Sequence, residues 1–192
     1  MSLLGFLVRL GLEKRMGEIG YTKLMITFFI FFTWLGNWEQ IVFVGAFCIG
    51  ILIIKGLKWE GVVLFGAVAL SKILEVILKQ VFQRERPDPS LWLTEASGYS
   101  FPSGHAVVSS VLYGLMSYFL WKNLKTGRQR VMIGACLIIV IICIGLSRVV
   151  LGVHWLSDVG GGWVIGAMVI AMATLVLAKY SPKPQTKQPS RR

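Results

Sequence analysis

Apolar residues in this chain collect in long runs, at 24–36, 41–54, 61–82, 105–121, 131–147 and 159–178, divided by short polar stretches instead of alternating with them. At about 1.5 Å per helical residue, several of these runs can cross roughly 30 Å of hydrocarbon. Unpaired backbone groups are costly in lipid, so the runs predict helices packed as one bundle. The expected fold is an all-α, polytopic membrane helix bundle of six spans, forming a single domain over residues 1–180. The first two runs are short and the turn from Asn37 to Gln40 is very short. This leaves a five-span alternative in which Leu3 to Leu12 lies along the surface as an amphipathic segment and 24–36 enters the membrane without crossing it. The first apolar stretch contains Arg9 and runs into charged residues with no small-residue cleavage site, so no cleavable signal peptide is expected. The Pro-, Lys- and Gln-rich stretch 181–192 predicts a disordered cytoplasmic tail.

Composition agrees with lipid as the main solvent: 55% of the 192 residues are hydrophobic, 15% are charged, and mean hydropathy is +0.70. A net charge of +11 raises the question of nucleic acid, which the distribution of Lys and Arg answers. If the amino terminus is cytoplasmic and six spans follow, then Arg9, Lys14, Arg15, Lys23, Lys55, Lys58, Lys122 to Arg130 and Lys179 to Arg192 fall inside, fifteen of the twenty cations. Lys79, Arg84, Arg86 and Arg148 fall near the outer face, and Lys72 lies within the third span. This is the positive-inside bias of an inner, or cell, membrane protein with a cytoplasmic carboxyl terminus, and no nucleic-acid partner is expected. Trp34, Trp38, Trp92 and Trp155 fall near the outer interface and Trp59 and Trp121 near the inner one, while Trp163 lies deeper. Cys48, Cys136 and Cys143 lie in apolar runs and predict no disulfide framework. Gly162 and Gly166 form a GxxxG pair suited to close helix packing.

Candidate chemistry lies in the polar residues of the spans' ends. One cluster is KQVFQRERP, from Lys79 to Pro87. A second is Pro102, Ser103, Gly104 and His105. A third comprises Ser147, Arg148, His154 and Asp158. Alternating span directions bring all three to the outer face. Lys79, Arg86 and Arg148 suit a phosphoryl group, and Ser103 and Gly104 precede a helix whose first N–H groups and dipole favour an anion. His105 and His154 are the two histidines of the chain. His154 and Asp158 are four apart and share a face if helical, so the carboxylate can hold one ring nitrogen while the other attacks phosphorus. His105 is left for proton transfer to the leaving group and from water. Lys72 with Glu75 reads as an intramembrane pair supporting the site, and Trp92, Glu95 and Tyr99 as a rim over it.

KQVFQRERP, PSGH and SRVVLGVHWLSD resemble the three signature motifs of the type 2 phosphatidic acid phosphatase family, in order and in spacing. The resemblance covers about 60–170. It implies a membrane lipid phosphatase of bacterial type that needs no metal or other cofactor. Lys79, Arg86, Ser103, Gly104 and Arg148 would hold phosphate, with His105 the acid, His154 the nucleophile and Asp158 its support. The implied partners are membrane lipids and a phosphorylated lipid substrate: phosphatidylglycerophosphate, undecaprenyl diphosphate, phosphatidic acid or the phosphate of lipid A. The implied site faces outside the cytoplasm. The sequence leaves the substrate and the oligomeric state open. A soluble vanadate-dependent haloperoxidase would share the pocket chemistry but not the spans. A serine intramembrane protease has no need of three cations. A metal hydrolase would have only His105, His154 and Asp158 as ligands. A non-enzymatic lipid or anion transporter or binding protein remains the alternative of a different class; it calls for midplane charges and two related halves.

Overall fold

The computed structural model describes residues 23–124 and 126–180. Among them lie six α-helices: α1 (Lys23–Leu35), α2 (Trp38–Ile54), α3 (Lys58–Phe82), α4 (Gly104–Asn123), α5 (Gly127–Val150) and α6 (Leu156–Tyr180). A single 3₁₀ turn, Pro89–Leu91, interrupts the long α3–α4 loop. The expected all-α bundle is therefore the observed one. Leu3 to Leu12 and the tail from Ser181 lie outside the described residues.

Burial is arranged as lipid demands. Phe43, Phe47, Phe65, Met168 and Leu175 face outward, whereas Ser71, Glu75, Ser109, Arg148 and Asp158 are buried. Helix α4 is the central element, with ten of its 20 residues buried, and it packs most extensively against α5 and α6. The contact with α6 is close because Gly162 and Gly166 present no side chain. A Cβ on Gly162 would stand 2.8 Å from that of Ala106, and one on Gly166 would stand 2.7 Å from that of Ser110. The same device explains the deep Trp163, whose ring lies over Gly145 of α5, where a Cβ would come within 2.6 Å of it.

Helices α3, α5 and α6 are each long and apolar enough to cross a membrane, and α1 with α2 passes the same test as a pair bent by 55°. Helix α4 carries serines and tyrosines, yet it must cross to join the site end of α3 to the opposite end of α5. The expected separate crossing by 24–36 is replaced by the arrangement in which that segment does not cross alone. At 13 residues, α1 reaches only about 20 Å. It also runs the other way from the six-span expectation. Thr33 meets Arg148 and Gly36 meets Ile144, so α1 lies antiparallel to the last turns of α5. Its Lys23 end therefore points to the site end of the bundle, not inside as expected. The chain bends by 55° at Gly36 and Asn37 and continues as α2.

Candidate active site

The three polar clusters converge on a cavity of about 200 Å³ lined by Lys72, Glu75, Lys79, Arg86, Gly104, His105, Arg148 and His154, with Gly36, Trp38, Ala96 and Ser97 among its other walls. Four cations and one carboxylate face one small space, which gives it a strong preference for an anion.

His154 stands in the α5–α6 loop, one residue before Trp155, whose carbonyl accepts from Asp158 N at 3.0 Å as α6 begins. The expectation that His154 and Asp158 share a helical face is corrected in this respect: only Asp158 is helical. Its carboxylate folds back instead, accepting from Trp155 N at 2.9 Å as a residue in a helix's first turn does when it caps the end. That reversal brings Oδ2 to 3.4 Å from His154 Nδ1. Asp158 also accepts from Ser100 Oγ at 2.5 Å and from Arg84 Nη1 at 2.7 Å. Arg84 is held in turn by Ser157 Oγ at 2.6 Å and lies over the Trp155 ring.

The tautomer of His154 follows by elimination. Arg86 Nη1 is 3.1 Å from Nε2, and a guanidinium can only donate, so Nε2 carries the lone pair and Nδ1 the proton. Burial, with Arg86 and Arg148 nearby, pushes the His154 imidazolium from its ordinary value of 6.5 down to about 4 against the opposing pull of Asp158. The ring is therefore neutral at physiological pH, with its free lone pair at the cavity.

Arg86 is more committed than the sequence suggested. Its other donors go to the carbonyls of Val153 at 2.8 Å, Gly98 at 2.9 Å, Ser97 at 2.8 Å and Tyr99 at 3.3 Å. It clamps the 97–99 loop over the site and leaves the donor facing Nε2 for a ligand. Burial lowers its own pKa. Arg148 is 5% exposed; Nη1 donates to Thr33 Oγ1 at 2.5 Å, and its Nε has no partner among the described residues. Lys79 reaches the cavity paired with Glu75 at 2.7 Å, and Lys72 holds the other carboxylate oxygen at 2.6 Å. The expected Lys72–Glu75 pair is thus one half of a three-residue bridge. Gly104 lies against Glu75, where a Cβ would strike the carboxylate. Ser103 occupies the N-cap position of α4 without a side-chain cap bond, and its N–H goes to Asp158 O at 3.1 Å. Its buried hydroxyl has no partner among the described residues, and it is Gly104 that lines the cavity. The expected rim also differs: the loop meets the cavity through Ala96 and Ser97, while Trp92 Nε1 is turned to Pro87 O at 3.0 Å.

Four contributors escaped the sequence reading: Thr33, Asn37, Ser100 and the role of Arg84. Thr33 carried a signal as a polar residue in an apolar run, and Asn37 as the first residue of the short turn that follows it. Ser100 carried none beyond its nearness to PSGH.

The chain belongs to the PAP2 superfamily, whose family model matches residues 60–181. It is 33% identical over 112 residues to phosphatidylglycerophosphatase B of Bacillus subtilis, covering 58% of this chain and 55% of that protein. It is 31% identical over 131 residues to the lipid A 1-phosphatase of Rhizobium etli, covering 64% and 52%. The matched stretches thus span about half the length of these curated relatives. The fold resembles the crystal structure of a transmembrane PAP2 type phosphatidylglycerolphosphate phosphatase from Bacillus subtilis, with a TM-score of 0.74 at 28% identity over 84% of this chain and 81% of that one.

Proposed function

We propose that this protein is a membrane lipid phosphatase that hydrolyses a phosphomonoester or diphosphate on a lipid headgroup through a phosphohistidine, without a metal. One observation carries the reading: a neutral His154, fixed by Asp158, presents its lone pair to a small cavity ringed by Lys79, Arg86 and Arg148. Nε2 attacks phosphorus as the bond to the lipid oxygen breaks, and protonated His105 gives that oxygen its proton. The Arg86 donor that faced Nε2, Arg148 and Lys79 take the equatorial oxygens, and Gly104 lets them approach the α4 backbone. Water then attacks phosphorus, its proton passes to His105, the P–N bond breaks, and inorganic phosphate leaves.

Phosphatidylglycerophosphate, phosphatidic acid, undecaprenyl diphosphate and lipid A phosphate are the candidate substrates; the relatives named above include phosphatases of phosphatidylglycerophosphate and of lipid A. The site belongs on the outer face of the cell membrane, because Lys55, Lys58, Lys122, Arg128, Arg130 and Lys179 all stand at the other end of the bundle. A transporter would need its charges near the midplane; here they collect at one end.

Phosphate release by the protein in detergent with EDTA, measured on each of the four lipids beside His154→Ala, tests the proposal. Release from at least one lipid, abolished by the substitution, is expected. Release that needs an added divalent cation, or that survives in His154→Ala, overturns it.

A further inference from the structure

The break between α1 and α2 lies outside the stretch matched by the family model, yet it forms a wall of the site. Three of its residues touch site residues. Thr33 takes a donor of Arg148. Gly36 lies so close to His105 that a Cβ would stand 2.8 Å from ring atom Cδ2. Asn37 places Oδ1 3.0 Å from His105 Nε2. The break is itself held, since Tyr113 of α4 donates to the Leu35 carbonyl at 3.1 Å.

Asn37 occupies the N-cap of α2, where an asparagine oxygen ordinarily accepts an N–H of the helix's first turn. Here the side chain makes no such bond. It gives up that local role and turns to His105 instead. An amide oxygen only accepts, so it requires a proton on Nε2. Gly36 crowds the adjoining Cδ2 and closes the same edge of the ring. Nδ1, on the opposite edge, is the nitrogen left to exchange a proton with substrate.

We propose that Asn37 is a positioning residue for general acid catalysis: it holds His105 with Nε2 protonated and thereby directs Nδ1 to the leaving oxygen and afterwards to water. The inference rests on the phosphatase reading. It makes the α1–α2 break part of the catalytic apparatus. In the first step the Nδ1 proton moves to the departing alkoxide as the P–O bond breaks. In the second, Nδ1 takes the proton of the attacking water.

Leaving-group dependence separates this role from a structural one. A 4-nitrophenolate leaves without being protonated, whereas a 4-nitrobenzyl alkoxide needs the acid. The value of kcat/KM covers the steps up to the phosphohistidine, so later hydrolysis does not enter it. Asn37→Ala is expected to lower kcat/KM for 4-nitrobenzyl phosphate at least tenfold more than for 4-nitrophenyl phosphate, part of the hundredfold or greater contribution that general acids make. Asn37→Asp, which keeps an acceptor at the same reach, should restore the wild-type ratio of the two esters whatever its absolute rate. An equal loss on both esters in Asn37→Ala, or no loss, overturns the assignment while leaving the phosphatase reading intact. Failure of the wild-type protein to turn over either ester or any of the lipids removes both.

Discussion

Replacing Asp158 by Asn tests how far the carboxylate's charge, as distinct from its shape, drives the reaction. The carboxylate is fully buried and receives Arg84, Ser100, Trp155 N and His154. An asparagine can keep its oxygen at the Oδ2 position, toward Trp155 and His154, and so preserve the tautomer. Its nitrogen then faces Arg84, which is 39% exposed and can turn to water. What is lost is the negative charge 3.4 Å from Nδ1 when attack on phosphorus makes the imidazole cationic. At an effective dielectric of about 20, that attraction is about 5 kcal/mol, or roughly several thousandfold in kcat/KM. The assay is phosphate release from the lipid the protein turns over fastest, with circular dichroism confirming that the variant is folded. A folded Asp158→Asn within tenfold of wild type would refute the reasoning.

Acid should destabilise the protein through His154. Its folded pKa of about 4 lies below the ordinary 6.5, so the unfolded chain takes up the proton first and stability falls as pH drops through that window. The full shift corresponds to about 3 kcal/mol, visible as a lower Tm in detergent at pH 5 than at pH 7, and the pH dependence should shrink in His154→Gln. Gly162→Leu should lower stability by about 1–3 kcal/mol by overpacking the α4–α6 contact, measured as Tm; because Ser103 N bonds Asp158 O across that contact, activity should fall even where the fold survives. Arg148→Lys should weaken inhibition by inorganic phosphate about tenfold, since a lysine supplies a point charge in place of the Nη1 bond to Thr33 and the open Nε.

The bundle was legible because lipid imposes one rule everywhere: long apolar runs become helices, and the charges between them fall at the two ends. That Lys79, Arg86, Gly104, His105, Arg148 and His154 line one cavity was legible because motif spacing puts them near helix ends at one face, whereas Ser103 stands off it. The α1–α2 break was not legible. Its length was ambiguous, and nothing local shows that α1 descends from the site end; the reason is the tertiary contact of Thr33 and Gly36 with α5. The capping geometry of Asp158 was missed for a related reason. A spacing of four suggests a shared helical face, whereas the chain places His154 before the helix and uses the carboxylate's backward reach. The commitment of Arg86 to loop carbonyls also depends on a loop path that spacing cannot give.

The phosphohistidine is the central claim, and rapid quench of the protein with labelled lipid phosphate under alkaline conditions tests it most directly. His105→Ala should slow hydrolysis and help the species accumulate. The predicted result is alkali-stable, acid-labile label on the peptide bearing His154, absent from His154→Ala. Turnover by the wild-type protein with no label on that peptide, accompanied by retained activity in His154→Ala, would contradict the account.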